Sequence, residues 1–352
     1  MMRFRWRATA VALILASAAA CADRVTQRPP ATAGPEPPAA APPTTVEKQE
    51  AAPSSVIDPK GPEATSLLGR PLYALPEGPD TVALEENLRR ARETLAQHPD
   101  DPEAIIWVGR RLGYLWRMRE AIAVYTEGLA RFPDHPGLLR HRGHRYISIR
   151  QFDRAIADLE KAAAAIEGRP DAIEPDGAPN ERNIPLTTTG FNIWYHLALA
   201  RYLKGDFERS AADWRRAMKY TRAMDDNVVA VSDWLYMSLR RSGDEQGAAS
   251  VLVPIRVNMD IIENRSYHRR LLLYKGVIKP EDLMRIAKAR ESETLDLATL
   301  GYGLGNWYYY NGDTARSMEL LKQVMEHGYW PAFSTLAAEA DLARLAQGGD
   351  RR

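Results

Sequence analysis

Apolar and small residues recur with helical spacing in residues 101–136, DPEAIIWVGRRLGYLWRMREAIAVYTEGLARFPDHP. Spacings of i, i+3, i+4 and i+7 define one helix face, formed by Ile105, Val108, Gly109 and Leu112. A second face follows after a short break, at Ala121, Tyr125 and Gly128, and Pro133 ends it. The pattern therefore predicts two helices that pack as a hairpin.

The same pattern returns 34 residues further along the chain. The places of Gly109, Ala121, Tyr125 and Gly128 are taken by Gly143, Ala155, Leu159 and Ala162. Small residues recur there because paired helices approach closely only where side chains are small, and large residues fill the space between them. A 34-residue period with this alternation resembles the tetratricopeptide repeat (TPR). The resemblance implies an all-α fold, a right-handed α-solenoid of about five tetratricopeptide-like helix pairs plus capping helices.

The predicted solenoid domain covers residues 66–346, and a charged tail covers residues 347–352. Two clear repeats are followed by three that begin later in the chain: Pro102–Asp134, Pro136–Arg169, and the repeats from Phe191, Val229 and Ala298. Further helices are predicted outside the period, the first and the last of them as caps: Thr81–His98, Met259–Lys275, Pro280–Ala289 and Ala332–Leu345. Five repeats exceed the three or so that a stable stack needs.

A loop at residues 168–189 interrupts the repeats. It is long against the usual four to six residues of a connection inside a compact array. Two interpretations remain open at this stage: a lid across the concave groove of the solenoid, or an insertion without a role. Ile173, Ile184 and Leu186 indicate that part of the loop packs back on the helices.

The N-terminus carries the pattern of a secretory signal peptide. Three arginines precede the apolar run Ala8–Ala20, which is too short for the ~20 residues of a membrane-spanning helix. Because the one cysteine of the chain, Cys21, follows this run directly, residues 1–20 resemble a bacterial lipoprotein signal. The resemblance implies that Cys21 is lipidated and anchors the protein to a membrane. Ala18–Ala20 also suits ordinary signal peptidase, which would leave a soluble periplasmic protein, and an uncleaved anchor is the third alternative.

Residues 21–65 are rich in Pro and Ala and almost free of large apolar side chains, which predicts a disordered tether. In the lipoproteins that the signal resembles, an aspartate directly after the cysteine retains the protein in the inner membrane. Ala22 stands at that place, which favours an outer-membrane lipoprotein that faces the periplasm. The expected location is therefore the bacterial cell envelope.

Composition and motifs argue against several functions. The 47 basic and 46 acidic residues nearly cancel, and nucleic acid is not an expected partner. A single cysteine excludes an intramolecular disulfide framework. The chain has no phosphate-binding Gly-Lys loop, HExxH, GxSxG or CxxC motif. We therefore expect that the protein is not an enzyme and that it has no catalytic residue, cofactor or metal. We do not expect a small-molecule ligand either.

In TPR proteins the first helix of each repeat lines a concave groove. That resemblance implies a groove lined by Arg110, Tyr114, Arg140, His144, Tyr195, Tyr202, Asp233, Arg240, Arg241, Tyr302, Asn306 and Tyr309. Such a lining is cationic at one end and rich in tyrosine at the other. Arginine suits carboxylates and phosphates, and tyrosine offers flat apolar area with a hydroxyl at its rim. The alternative is that these are ordinary packing or solvated positions.

The segment Arg140–Arg145, RHRGHR, allows three interpretations. His141 and His144 are three residues apart on a helix and could share a metal, but no third ligand follows and the arginines repel cations. A local anion-binding patch and plain helix packing are the other two.

These features together predict an interaction scaffold of the cell envelope. The groove would bind an unidentified protein or peptide, acidic or with a free carboxylate. The alternatives are a protein that binds peptidoglycan or another glycan, and an enzyme of unrecognised type. Segments such as RHRGHRYISIR and TLGYGLGNWYYYNGD resemble an uncharacterised group of bacterial TPR proteins, and this resemblance implies no activity.

Overall fold

A computed structural model of the chain describes Asp58 and residues 61–289, 294–326 and 329–348. The predicted signal peptide at residues 1–20, Cys21, most of the predicted tether and the tail beyond residue 348 lie outside the described residues.

The described residues form two very short strands and a series of α-helices. The strands, β1 (Ala64–Thr65) and β2 (Pro71–Leu72), pair antiparallel, with Ala64 opposite Leu72. The helices are α1 (Val82–Gln97), α2 (Pro102–Tyr114), α3 (Met118–Arg131), α4 (Pro136–Ser148), α5 (Phe152–Ile166), α6 (Thr189–Lys204), α7 (Phe207–Met218), α8 (Asp225–Ser242), α9 (Glu245–Leu252), α10 (Arg265–Tyr274), α11 (Pro280–Ala289), α12 (Thr294–Tyr310), α13 (Thr314–Glu326) and α14 (Phe333–Ala346).

Each helix from α1 to α9, and again from α10 to α14, packs against the next one in the chain. The first helices of successive hairpins also pack against each other, so that α2, α4, α6, α8, α10, α12 and α14 form one layer. This is the packing of an α-solenoid, and the predicted all-α fold class is confirmed. We call the surface of this layer that faces away from the second helices of the hairpins the groove.

Small residues allow the close approach of the helix pairs. A Cβ atom on Gly109 would overlap the ring of Tyr125, and one on Gly143 would lie 2.8 Å from Leu159 Cγ. Both large partners are almost fully buried. The alternation of small and large residues in the sequence therefore has the predicted physical cause.

The start of α10 differs from the prediction, which placed a helix from Met259. The buried carboxylate of Asp226 accepts hydrogen bonds from the backbone N–H groups of Ile262, Glu263 and Asn264, at 2.7–3.2 Å. These residues are not helical, and the helix begins only at Arg265. The carboxylate lies 36 residues or more away in the sequence, so no local pattern revealed it.

The last helix does more than cap the array. Ten consecutive residues of α14, 334–343, are buried, because the helix packs not only on α12 and α13 but also on α6, in the groove. The hairpin near the N-terminus joins it there, since the backbone N–H of Leu67 donates to Glu339 Oε1 at 2.6 Å. No helix in the described part of the chain is long and apolar enough to cross a membrane.

Candidate functional site

The middle of the groove is occupied by one hydrogen-bonded chain of predicted lining residues. Asn306 Nδ2 donates to Tyr202 Oη at 2.9 Å, and the hydroxyls of Tyr202 and Tyr302 are 2.6 Å apart. Tyr302 Oη then donates to Asp341 Oδ2 at 3.0 Å, and Arg241 Nη1 donates to Asp341 Oδ1 at 2.9 Å. All five side chains are buried. The structure thus brings four predicted residues together, around a carboxylate of α14.

Asp341 is charged in this setting. Burial raises its pKa, but the guanidinium groups of Arg241 and Arg344 outweigh burial and hold the pKa below its usual range. Burial, and after it the negative charge of Asp341, raises the pKa of both tyrosines, that of Tyr202 to about 12. The hydroxyls therefore stay protonated and can act as donors to the carboxylate.

A second carboxylate of α14 is paired in the same way. Arg150 Nη2 donates to Glu339 Oε2 at 2.6 Å and Arg150 Nε donates to Glu339 Oε1 at 3.0 Å, a two-pronged contact between buried groups. Phe333, at the start of α14, lies against the rings of His144 and His196, with centroids 5.4 and 5.6 Å apart. The helix α14 therefore supplies the groove with both acidic and aromatic contacts from within the chain.

The other predicted residues at the tyrosine-rich end are also engaged within the chain. Asp233 is fully buried 2.9 Å from Arg270 Nη2, and burial raises its pKa to about 7 against the pull of that guanidinium. Tyr195 packs edge-on against Trp214, with ring centroids 4.7 Å apart. Arg240 lies over the ring of Tyr310.

Tyr309 is half-buried and faces the Arg241 guanidinium, which lies 4.6 Å from its ring centroid. In this part of the groove Arg241 and Tyr302 are therefore bound to Asp341 of α14. That the twelve residues bind a partner stays a prediction.

The opposite end of the groove, on α2 and α4, has a different character. Arg110 and Arg111 lie over the ring of Trp107, with guanidinium carbons 4.4 and 4.9 Å from its centroid. Together with Tyr114, these side chains are only half-buried. Trp107 and Arg111 were absent from the predicted lining. The spacing of i, i+3 and i+4 could have shown them, because it places Trp107 beside both arginines on one helix.

The loop at residues 168–189 lies against this end. Arg110 Nη1 donates to the carbonyl of Pro175 at 2.7 Å, and Arg140 Nη2 pairs with Glu174 at 3.0 Å. Gly177 packs against the hydroxyl of Tyr114 so closely that a Cβ atom there would overlap it. This part of the loop therefore lies over the groove at α2 and α4, and its role as a lid stays a prediction.

The apolar residues of the loop behave differently from one another. Leu186 is buried, and its carbonyl accepts a hydrogen bond from Asn227 Nδ2. Ile173 and Ile184 are 53% and 40% exposed, so part of the loop packs on the helices as expected, but through Leu186 and not through these two residues. Polar contacts hold the loop instead, among them the ion pair of Arg182 with Asp260.

An arginine–histidine cluster lies beside the loop, where Arg140 and His141 both contact Glu174. Its members are Arg140, His141, His144, Arg145 and His196. Arg145 Nη2 lies 2.7 Å from His144 Nδ1, and its Nη1 lies 3.6 Å from Met118 Sδ. In the described part of the chain, no carboxylate lies within 4 Å of the Arg145 guanidinium. Arg140 is 7% exposed, and its Nε has no hydrogen-bond partner among the described residues.

The three histidines of this cluster are neutral at pH 7. Burial, with the positive charges of Arg140 and Arg145, lowers the pKa of His141, His144 and His196 well below its usual value. His196 Nδ1 donates to the carbonyl of Asn192 at 2.6 Å, and its Nε2 has no partner in the described structure. No group of three or more His, Cys, Asp or Glu side chains in the described ranges could hold a metal ion.

No family model and no curated protein matches the chain. Among solved structures, it is similar to YrrB, described as a TPR protein with an unusual peptide-binding site, at 14% identity over 68% of this chain and 93% of that one, with a TM-score of 0.38. It is also similar to a tetratricopeptide repeat protein from Parabacteroides merdae, at 14% identity over 73% of this chain and 93% of that one, with a TM-score of 0.44. The fold class rests on the helix packing described above, and these similarities say nothing about a ligand of this chain.

Proposed function

We propose that the protein is an interaction scaffold that binds a partner protein or peptide at the α2–α4 end of its groove. One observation carries the proposal. In the middle of the groove the arginines are paired with Glu339 and Asp341 of the chain's own α14. On α2, by contrast, Trp107, Arg110, Arg111 and Tyr114 stay half-buried although the loop carbonyls of Pro175 and Gly177 bind the two arginines, so the loop covers this surface only in part.

The composition of this surface favours a protein partner. Tryptophan, tyrosine and arginine are the residues that most often carry the binding energy of protein interfaces. Repeat arrays present such surfaces on a preformed and extended face. The arginines favour a partner segment that is acidic or ends in a free carboxylate.

We further propose that the scaffold acts in the bacterial cell envelope. The support is the lipoprotein-type signal that ends at Cys21, and Ala22 favours the outer membrane over the inner one. The tether at residues 21–65 would then hold the solenoid away from the lipid surface. If Cys21 is not lipidated, the protein is soluble in the periplasm.

The experiment is a selection from a phage-displayed library of random peptides, followed by fluorescence anisotropy with the peptides recovered. We expect acidic peptides, and we expect Trp107→Ala to weaken their binding by about thirtyfold, the loss typical of an interface hot spot. The matched control is Trp194→Ala, which changes a partly buried tryptophan of α6.

Equal losses in both variants, or recovery of peptides without acidic residues, would contradict the proposed surface. Circular dichroism of each variant checks that the helices are retained.

A further inference from the structure

The arginine–histidine cluster contains a positive charge that the fold does not neutralise. Arg145 packs over Gly113 of α2, where a Cβ atom would lie in the place of its guanidinium. Burial lowers its pKa, and the nearby charges of Arg140 and Arg110 lower it further. The side chain is partly buried, and taking a charge even partly out of water without a partner is unfavourable, which is why most buried charges in proteins are paired.

The arginines that are most deeply buried among the described residues are paired. Arg150 bonds Glu339, Arg241 bonds Asp341 and Arg270 lies 2.9 Å from Asp233, each with a buried carboxylate. Arg145 differs from them, since its contacts are a histidine nitrogen and a thioether sulfur. An anion bound beside Arg145 would give this charge the partner that the deeply buried arginines have.

The surroundings indicate which anion fits. Arg145, Arg140 and the ring of His144 present N–H groups from α4, and His196 approaches His144 from α6 with ring centroids 4.3 Å apart. His144 Nδ1 receives the Arg145 hydrogen bond, so the proton of the neutral ring is on Nε2, which is a further donor. A carboxylate accepts hydrogen bonds mainly in one plane, whereas the oxygens of a phosphate accept from several directions and carry up to two negative charges.

We propose that the arginine–histidine cluster is a binding site for a phosphate group, carried as free phosphate or as a small phosphate monoester. The loop residues Glu174 and Gly177 cover this end of the groove, so the ligand is small enough to lie beneath them. The side chains of this site lie on α4 and α6, whereas the proposed partner surface consists of residues of α2. It goes beyond the scaffold function and does not depend on it.

The test is the midpoint of thermal unfolding, with phosphate and then phosphoserine added to the full domain at pH 7.5. Sodium chloride and sodium acetate at matched ionic strength are the comparisons. Because a ligand of the folded state stabilises it by mass action, phosphate should raise the midpoint more than either salt does. A response to phosphoserine as well as to phosphate shows that monoesters enter, and a response to phosphate alone limits the site to the free ion.

The variant Arg145→Met separates this site from ordinary packing. Without phosphate it should unfold at the same temperature as the native protein or higher, since it removes a partly buried charge that no carboxylate of the described residues pairs with. Calorimetric titration should show phosphate binding that is ten- to a hundredfold weaker, as the loss of a charge-assisted hydrogen bond predicts. The control is Arg154→Met, which changes an exposed arginine of α5 and should keep the native affinity.

If Arg145→Met does not fold, Arg145→Lys keeps the charge but loses the planar fork, and it too should bind phosphate more weakly. The proposal is overturned if phosphate stabilises the native protein no more than acetate or chloride, or if both Arg145 variants retain the native response. The test of the scaffold compares peptide binding by the native protein and by Trp107→Ala. Its result is independent of whether the phosphate proposal stands or is overturned.

Discussion

At the scale of single residues, pairing with a carboxylate lets an arginine occupy a position between two helices. Arg142 and Arg201 stand where the repeat pattern predicts an apolar residue. Arg142 Nε and Nη2 each lie 2.7 Å from the Asp158 carboxylate, and Arg201 pairs with Asp213. Both acids lie on the second helix of the same hairpin, so each pair links the two helices that the apolar residue would have joined. Arg145 has no such acid, and its neighbours are histidines instead.

The same cluster predicts how stability depends on pH. An unfolded histidine has a pKa of about 6.5, whereas His141, His144 and His196 have a much lower pKa in the folded protein. Below pH 6.5 the unfolded chain therefore binds protons that the folded chain does not. The free energy of unfolding must fall as the pH falls, by up to about 1.4 kcal/mol per pH unit for each histidine.

We expect His196→Gln to reduce this dependence by about the contribution of one histidine between pH 6.5 and pH 5. Urea denaturation in phosphate-free buffer at several pH values measures it. His98→Gln, which changes an exposed histidine after α1, should leave the dependence as it is. An unchanged slope in His196→Gln would show that this ring already takes up its proton in the folded state.

At the scale of elements, α14 occupies the groove through contacts from within the chain. Its two carboxylates pair with Arg150, which follows α4, and with Arg241 near the end of α8, so one helix connects distant parts of the array. The same helix carries small residues, Ala337, Ala338 and Ala340, which let it lie close to its neighbours. The groove is therefore filled where the acids of α14 meet its arginines.

A double-mutant cycle on Arg150 and Glu339 tests this connection. We expect Arg150→Met or Glu339→Met alone to lower the free energy of unfolding by about 3–5 kcal/mol, because each leaves a buried charge unpaired. The double variant should lose less than the sum of the two, because no unpaired charge remains.

The comparison pair is Lys161 and Asp134, an exposed ion pair whose coupling should be at most about 1 kcal/mol. Additive losses at Arg150 and Glu339 would mean that the two side chains do not stabilise each other, and that α14 is held by its apolar face alone.

At the scale of the whole molecule, the first and the last described segments of the solenoid contact each other. The segment at residues 62–75 and the helix α14 meet in the groove, where Trp330 Nε1 donates to the carbonyl of Tyr73 at 2.9 Å. Arg119 N–H in turn donates to the carboxylate of Glu63. The beginning of the described domain is thereby tied to its end, which leaves the loop-covered α2–α4 end as the part of the groove where we propose that partners bind.

The predicted anchor gives a test at the same scale. We expect the native protein expressed in a Gram-negative host to incorporate radiolabelled palmitate and to sediment with the outer membrane. Cys21→Ser should carry no label and should move to the soluble periplasmic fraction, because a lipid chain is what holds it on the membrane. The matched control is Ala22→Asp, which should keep the label and move to the inner membrane. Label in Cys21→Ser would contradict lipidation at this residue.

Local patterns in the sequence were enough to predict the helix pairs. The 34-residue period, the glycines opposite Tyr125 and Leu159, and the proline and glycine breaks all act between residues close in the chain, so their spacing contains the information. The predicted cap Thr81–His98 agrees with α1, and the predicted last helix agrees with α14 to within a residue at each end. Signals of this kind also placed the arginines and tyrosines on the first helices of the hairpins.

Only the tertiary structure decided what those side chains contact. Glu339 lies 189 residues from Arg150, and Asp341 lies 100 residues from Arg241, so no periodicity could show that α14 would occupy the groove. The late start of α10 has the same cause, since Asp226 acts on it from α8. Whether an arginine is paired depends on which carboxylate the fold brings within hydrogen-bond distance. For that reason the sequence could point to Arg140–Arg145 as one possible anion patch, and the structure was needed to single out Arg145.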